Sequence, residues 1–445
     1  MVLSRFRRRF AGLVLPASLA LSGLLLGVTP ALPSLSLPSA GMVARQIDTS
    51  VDGQQTLELP FVATHVALHW RGAGDAHVSL AFAISPGNFG AEVPLTLDDL
   101  PDPAPDAETD TPVIWTGGAR WVRITSDQPI AQLTVVAMDM SSGPALAVSP
   151  PVADGAVGQP PIITRAQWGA DESLRFDAAG HEIFPASYFP LQQFIVHHTA
   201  GRNDDPDPAA TIRAIYYDHA VVRDYGDIDY NYLIDQQGRI YEGRRARSYA
   251  PGEVPTEEDV AGNLVRGTHS VGFNPGSMGI ALLGNFQTQK PTAAALASLT
   301  WLLAWAAERH GLDPTATHLY VNGETGATKT LPVIAGHRDV NATACPGDDF
   351  YPMLPALRTA VAARIAAMTG PSVDHTAPTV ATFGPMEPAT TGAASLHFGL
   401  TFSEPVTGLT MSDFGVSGSS TGWSVSGLSG AAAAYTVTLS AAAPT

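Results

Sequence analysis

The only cysteine of the chain lies close to a histidine, and together they suggest a metal site. Cys345 follows His337 by eight residues, and the segment between them runs from a short apolar stretch (333–335) to a Pro-Gly turn. A loop of this length can curl back and bring both side chains to one ion. Imidazole together with thiolate favours zinc among the divalent metals. These two residues therefore predict part of a zinc site.

A further ligand has to come from elsewhere in the chain, and the best candidate is the pair His197 and His198. They end a strand-like apolar run, and side chains alternate across a strand, so only one of the two can face the site. The spacing alone leaves either histidine open. Three protein ligands would leave a fourth position for water, as in catalytic zinc sites. The alternative is a buried inert cysteine with histidines at the surface.

The elements that would position these residues lie between residues 162 and 370. Residues 191–197 and 278–284 are nearly continuous apolar runs, typical of strands in a sheet covered on both faces. Residues 230–235 and 239–242 flank a Gln-Gln-Gly turn and predict a hairpin. Apolar residues at helical spacing predict three helices, near 209–221, 292–310 and 354–365. The pattern predicts an α/β domain.

The flanking regions have a different character. Residues 41–140 contain short alternating runs separated by Gly, Pro and Asp, which predicts a small β-sandwich-like domain. Its role is unknown, and a structural role is favoured over wall or glycan binding. Residues 141–161 are rich in Pro, Gly, Ala and Ser and predict a linker. Residues 371–445 contain no Lys or Arg and predict a second small β domain.

Residues 1–40 have the features of a secretory signal peptide. Four arginines within residues 5–9 precede an apolar stretch over 10–28, and cleavage at Ala31 or Ala40 would fit. A retained N-terminal anchor is the alternative. After cleavage we expect no membrane span and a secreted or cell-wall-associated protein.

The charge of the chain argues against nucleic-acid binding, and its cysteine content excludes a fold held by intramolecular disulfides. The 445 residues include 24 basic and 41 acidic side chains, for a net charge of −17 and no basic stripe, which argues against a nucleic-acid partner. One cysteine allows no intramolecular disulfide.

Six separated motifs stand out between residues 163 and 346. They are Ile163-Thr-Arg-Ala-Gln-Trp-Gly169, Phe194-Ile-Val-His-His-Thr-Ala200, Asp229-Tyr-Asn-Tyr-Leu-Ile-Asp235, Gly238-Arg-Ile-Tyr-Glu-Gly-Arg244, Gly276-Ser-Met-Gly-Ile-Ala-Leu-Leu-Gly284 and Gly336-His-Arg-Asp-Val-Asn-Ala-Thr-Ala-Cys-Pro346. In this order and spacing they resemble the peptidoglycan recognition protein family, which shares its fold with the zinc-dependent N-acetylmuramoyl-L-alanine amidases. The resemblance covers about 200 residues.

The resemblance implies a mixed β-sheet flanked by helices and a zinc in a groove that holds glycan and stem peptide. It implies that His197, His337 and Cys345 are the zinc ligands, with His198 turned to the opposite layer. It also implies a catalytic Tyr230 and an assisting residue at position 343, here Thr343.

Function and partners follow from the same resemblance. Binding-only members replace the cysteine ligand, so the retained Cys345 favours an enzyme that cleaves the amide between N-acetylmuramic acid and L-alanine in peptidoglycan. A non-catalytic peptidoglycan-binding or adhesion protein is the alternative. Peptidoglycan is the expected partner, and a monomer is expected.

Some positions depart from the family or remain open. Asp229 stands where relatives often carry Gly, and we expect its carboxylate to be solvated. His269 lies in a loop near the groove, where contact with substrate and stabilisation of the loop are both expected roles. Residues 374–439 resemble a bacterial Ig-like repeat that ends early, so the C-terminal domain is expected to be incomplete.

Overall fold

A computed structural model describes most of the chain. The described residues are 42–72, 75–97, 108–144, 158–250, 252–369, 378–388, 392–406, 408–417 and 422–442. The predicted signal peptide, residues 1–40, lies outside them, as do residues 145–157 of the predicted linker. Within the described part, no helix combines the length and the apolar character that crossing a bilayer requires.

The described residues form two compact units. The first contains residues 42–144, 161–299 and 317–354, and the second contains 158–160, 300–316 and the described residues from 355 onward. The first unit holds two large sheets and every candidate site residue.

The N-terminal region of the first unit is an antiparallel sheet in the order β1-β7-β2-β6-β3-β4, with β5 paired to β2. Its strands are β1 (Val43–Val51), β2 (Gln54–Arg71), β3 (Val78–Ala83), β4 (Val93–Pro94), β5 (Glu108–Asp110), β6 (Ile114–Ser126) and β7 (Ile130–Asp139). The first half of the 18-residue β2 pairs mainly with β6, whereas its second half pairs with β7 and β5, and the register shifts between Glu58 and His65. The β-rich character predicted for this region is therefore present as one continuous hydrogen-bonded sheet, and the β-sandwich-like arrangement stays a prediction.

The central sheet of the first unit is mixed, with the order β17-β10-β14-β11-β12-β8. Its strands are β8 (Ile162–Ile163), β10 (Gln193–His198), β11 (Tyr232–Ile234), β12 (Ile240–Glu242), β14 (Ser277–Leu282) and β17 (Ile334–Gly336). Two smaller antiparallel pairs accompany it: β9 (Tyr188–Phe189) with β13 (Leu264–Val265), and β15 (Thr317–Val321) with β16 (Thr328–Pro332). Every residue of β10 and β14 is buried, as their apolar runs predict, and β11 and β12 form the predicted hairpin.

The described residues contain four α-helices, namely α1 (Arg165–Trp168) and α2 (Pro208–Tyr217) in the first unit, α3 (Ala293–Arg309), which begins in the first unit and ends in the second, and α4 (Leu354–Thr369), which lies almost entirely in the second. Asp207 is the N-cap of helix α2, and its side chain accepts the N–H of Ala210. Pro208 is the first residue of the helix. It ends in a π-helical turn, Asp218–Val222, which we call the 218–222 turn. All three helices predicted from spacing are present.

The N-terminal sheet and helix α2 share one hydrophobic core. Side chains alternate along β2, so Val66, Leu68 and Trp70 point into the core of the N-terminal sheet itself. Ala67 lies on the opposite face and packs with α2 and the central sheet. That shared cluster includes Ala67, Val136, Met138 and Met140 from the N-terminal sheet, with Ile212, Ile215 and Tyr216 from α2 and Leu233 and Ala281 from the central sheet. The N-terminal sheet is therefore packed onto the α/β region through a continuous apolar interface.

The second unit contains a four-stranded antiparallel sheet in the order β18-β19-β21-β20. Its strands are β18 (Val380–Pro385), β19 (Ser395–Phe402), β20 (Trp423–Ala431) and β21 (Ala434–Ala441). Leu400 and Val437 are the buried hydrophobic residues among its described positions. No second sheet faces it within the described residues of this segment, and the Ig-like repeat stays a prediction.

Candidate metal centre

Three side chains that are far apart in sequence meet at the ends of two neighbouring strands. Strands β10 and β17 are parallel, and Val196 pairs with Gly336, so the residues that follow these two, His197 and His337, are neighbours. Their ring centroids are 4.4 Å apart. Cys345 Sγ lies 3.7 Å from His197 Nδ1, and the candidate ligand atoms of all three residues lie within 4.8 Å of one another. All three side chains are buried.

The loop after β17 returns Cys345 to the strand ends. The backbone N–H of Arg338 donates to the carbonyl of Cys345 at 3.1 Å, and its guanidinium donates to the carbonyls of Ala344 and Cys345. Thr343 Oγ1 accepts the N–H of Cys345 at 3.0 Å. The structure thus places Thr343 as a residue that shapes the backbone of the cysteine turn. The backbone N–H of His198 points to the thiol, with 3.3 Å between N and Sγ.

The structure resolves which of the two adjacent histidines faces the cluster. His197 lies with His337 and Cys345, while His198 Nδ1 accepts the N–H of Phe286 at 3.2 Å. Burial lowers the pKa of His198 to about 3, so it is neutral at physiological pH. Alternation along β10 therefore places His198 in the opposite layer, as the resemblance implies.

A second histidine orients the ring of His197. The Nε2 atom of His197 lies 3.1 Å from Nδ1 of His269, and Nε2 of His269 lies 3.4 Å from the carbonyl of Ser277. Since the Ser277 carbonyl can only accept, the proton of His269 belongs on Nε2, and its Nδ1 accepts from Nε2–H of His197. This assignment leaves His197 Nδ1, the atom nearest the thiol, with a free lone pair.

Burial keeps the rings of His197 and His269 neutral, and a glycine leaves room for the ring of His269 beside β14. Burial lowers the pKa of His197 well below its ordinary value and that of His269 to about 3. A Cβ at position 279 would lie 2.3 Å from the ring of His269, so glycine is required there. The structure shows a contact of His269 with the candidate ligand His197, which neither expected role included, and contact with substrate and stabilisation of the loop stay predictions.

Tyr230 borders the same cluster. Its ring centroid is 5.3 Å from that of His197 and 5.8 Å from that of His219, a residue of the 218–222 turn. Its backbone is held by the hairpin, since its carbonyl accepts the N–H of Arg244 at 2.8 Å. A Cβ at position 243 would lie 2.1 Å from that carbonyl oxygen, so Gly243 permits this approach.

The expectation that Asp229 is solvated is wrong. Asp229 is 7% exposed, Thr268 Oγ1 donates to its Oδ1 at 2.6 Å, and its Oδ2 lies 3.3 Å from His219 Nδ1. Burial raises the pKa of Asp229 to about 8, although the hydrogen bond from Thr268 opposes this shift. Its partners are 10 and 39 residues away, which no local pattern reveals. The sequence did not identify His219 for the same reason. Its position at the end of the buried face of α2 was the only sequence signal that could have indicated it.

Relatives of known family match a part of this chain. Peptidoglycan recognition protein 1 from Bos indicus is 30% identical over 195 residues, which are 43% of this chain and 82% of that protein. Peptidoglycan-recognition protein SD from Drosophila simulans is 30% identical over 199 residues, 44% of this chain and 86% of that protein. The chain belongs to the peptidoglycan recognition protein family.

A family model and a solved structure also match part of this chain. The model described as N-acetylmuramoyl-L-alanine amidase matches residues 187–348, a range that contains His197, Tyr230, His337, Thr343 and Cys345. The structure of the amidase LysC from Clostridium intestinale is 24% identical, with a TM-score of 0.28, over 39% of this chain and 89% of that chain. The N-terminal sheet and the C-terminal sheet lie outside the range of the family model.

Proposed function

We propose that this protein is a zinc-dependent amidase that hydrolyses the bond between N-acetylmuramic acid and L-alanine in bacterial peptidoglycan. The observation that carries the proposal is the buried cluster of His197, His337 and Cys345 beside Tyr230. Membership in the family supports peptidoglycan as the partner, and the family model supports amide hydrolysis.

The donor set fits zinc. Typical bond lengths are about 2.3 Å for Zn–S and about 2.0–2.1 Å for Zn–N, which in a tetrahedron places S and N about 3.6 Å apart. The observed separation of Cys345 Sγ and His197 Nδ1 is 3.7 Å. The ring of His197 has the hydrogen-bonded orientation that metal-binding histidines ordinarily show, since its other nitrogen donates to His269.

His197, His337 and Cys345 would hold the ion and leave one position open. Zinc bound there would act as a Lewis acid and make water nucleophilic near neutral pH. The protein contributes the arrangement around it: the neutral His269 fixes the ring of His197, and the cysteine turn built around Thr343 fixes the thiol.

We assign Tyr230 as the residue that touches the reacting amide. Its ring borders His197, where its hydroxyl can donate to the oxygen on which negative charge develops. A phenol hydroxyl keeps its proton at neutral pH, so tyrosine acts there as a hydrogen-bond donor in preference to a base. Thr343 has no charge to offer, and we assign it an assisting role through the backbone of Cys345.

Two rival functions make different predictions. A peptidoglycan-binding protein without turnover would retain wall fragments and release no product, whereas the amidase releases stem peptides with a new N-terminal L-alanine. Incubating the full chain with purified peptidoglycan and measuring new amino termini, in zinc-containing buffer and after chelation, separates these two.

An adhesion protein would lose attachment to cells on deletion of residues 371–445, and turnover by the remaining chain would then assign catalysis and attachment to different regions.

We further propose that the protein is secreted or cell-wall associated and acts as a monomer. The arginine-rich, apolar N-terminus supports export. Comparing culture supernatant, wall and cell fractions tests the first proposal, and light scattering of the purified protein tests the second.

A further inference from the structure

We infer that the N-terminal sheet is part of the catalytic unit and that His69 is a positioning residue for Tyr230, acting through the 218–222 turn. This inference rests on the proposed amidase function. It assigns to residues 42–140 a role in positioning the site, in place of wall or glycan binding.

Four buried or half-buried charged side chains connect the N-terminal sheet to the 218–222 turn. His69 lies between two carboxylates: its Nδ1 is 2.6 Å from Asp110 Oδ1, and its Nε2 is 2.9 Å from Asp218 Oδ1. Arg223 lies between the same two carboxylates, with Nε 2.8 Å from Asp218 Oδ2 and Nη1 3.6 Å from Asp110 Oδ2. We call these four residues the charge cluster.

The cluster requires a doubly protonated His69. Both ring nitrogens face carboxylate oxygens, which only accept, so both must carry protons. Burial disfavours this charge, but the hydrogen bonds to Asp110 and Asp218 outweigh it and raise the pKa of His69 to about 9. Two cations then alternate with two anions, and the cluster is neutral. Removing one member leaves an uncompensated buried charge, a change that is strongly destabilising for its neighbours.

The cluster fixes both ends of the 218–222 turn. His69 and Asp110 are directly opposite each other on β2 and β5, so the N-terminal sheet presents them as a rigid pair. Asp218 opens the turn and Arg223 follows it, and the N–H of Arg223 also donates to the carbonyl of Asp218 at 2.9 Å. Asp218 is fully buried. The position of the turn is therefore determined by the N-terminal sheet.

The same turn supports Tyr230. Its second residue, His219, packs against the ring of Tyr230 with centroids 5.8 Å apart. His219 Nδ1 also accepts the backbone N–H of Asp229, the residue before Tyr230, at 3.3 Å. A displacement of the turn would move both supports of Tyr230, whereas the three candidate metal ligands lie on β10 and in the segment that follows β17.

Two more contacts keep the N-terminal sheet in place without reaching the turn. His65 Nε2 lies 2.8 Å from Thr211 Oγ1, and the Arg213 guanidinium donates to the carbonyl of Met140. Together with the shared apolar core, these contacts predict that a change in the charge cluster displaces the turn without detaching the sheet. The effect of the cluster can thus be measured in a folded protein.

The test is His69→Gln in the full chain, with His77→Gln as the matched control. His77 directly precedes β3 of the same sheet and also pairs with an aspartate, Asp127, but its side chain is 89% exposed. We expect His69→Gln to bind zinc in full, to keep KM within about twofold and to lower kcat by about tenfold to a hundredfold, the scale of a small misplacement. Hydrogen exchange measured by mass spectrometry should rise in residues 218–230 and stay unchanged in the control.

A second variant guards against misfolding. His69→Gln combined with Asp110→Asn removes one cation and one anion, so the cluster stays neutral, and it should show the same loss of kcat and the same local exchange. Three results would each overturn the inference. The first is turnover and hydrogen exchange equal to those of His77→Gln, the second is increased exchange without loss of kcat, and the third is a loss of zinc. Failure of the amidase proposal would appear separately, as absent turnover in the unaltered protein, and the exchange measurement would then decide alone whether His69 positions the turn.

Discussion

Cys345 Sγ lies 3.7 Å from Nδ1 of His197, although 148 residues separate them in the chain. Parallel pairing of β10 with β17 brings the two strand ends together, and the loop after β17 carries the thiol back across them. The central sheet thus brings the donor set together, and each donor is held by a backbone or ring contact.

Removal of the thiol should abolish metal binding. Cys345→Ser replaces the soft thiolate by a hydroxyl, so we expect zinc content to fall from about one per chain to near zero. Turnover of peptidoglycan should fall with it. Elemental analysis of the purified variant, beside the unaltered protein, checks the first outcome. A Cys345→Ser protein that keeps its zinc would show that the thiol is not a ligand.

Loss of the Tyr230 hydroxyl should separate metal binding from turnover. Tyr230→Phe keeps the ring that packs on His197 and His219, so zinc content should not change. Loss of one donor to the developing charge typically lowers kcat by about 10²–10³-fold. Steady-state kinetics on a soluble muropeptide measures this. Full activity in this variant would remove Tyr230 from the proposed mechanism.

His269 should affect zinc affinity without being a ligand. His269→Ala removes the acceptor that orients Nε2–H of His197, and loss of such a partner typically weakens metal binding by about 10–100-fold. Competition with a chromogenic chelator gives the affinity. His181→Ala, at a side chain that is 80% exposed, is the matched control and should bind as the unaltered protein does. Equal affinities for the two variants would contradict the orienting role.

Asp229 should make the protein less stable as the pH rises. Its pKa is about 8 in the folded protein against an ordinary 3.8, so the folded state holds the proton more tightly. The stability associated with that proton is complete below pH ~4 and is lost as the pH rises toward 8.

Asp229→Asn removes this titration. We expect its free energy of unfolding to exceed that of the unaltered protein by at least about 1 kcal/mol at pH 8 and by less at pH 5, because the penalty for ionising the buried carboxyl is gone. Urea unfolding at both pH values measures the difference. Asp127→Asn, at the surface, should show no growing gain over this range. A difference between Asp229→Asn and the unaltered protein that is constant with pH would show that Asp229 does not titrate as described.

The sequence predicted the strands and helices because these depend on local signals, whereas the candidate metal cluster was predicted from residue types and from the resemblance to the family. Uninterrupted apolar runs marked β10 and β14, and helical spacing marked α2, whose end became a π-helical turn. Strand alternation alone could not choose between His197 and His198, since the choice depends on which layer lies over each face of β10. The resemblance to the family supplied that choice.

Features that depend on packing between distant segments could not be predicted. His65 and His69 alternate with apolar residues on β2, a pattern typical of a face exposed to water, yet α2 and the 218–222 turn cover that face. Asp229 had the same difficulty, because only the fold brings Thr268 and His219 to its carboxyl group. In each case a polar side chain is buried with partners that lie far away in sequence.

The most direct test of the central proposal is product analysis on a defined muropeptide. Mass spectrometry of the reaction in zinc-containing buffer should show the intact glycan portion and a stem peptide that begins with a free L-alanine amine. Chelation should stop product formation, and added zinc should restore it. An intact muropeptide after prolonged incubation with the zinc-loaded protein would contradict the amidase function.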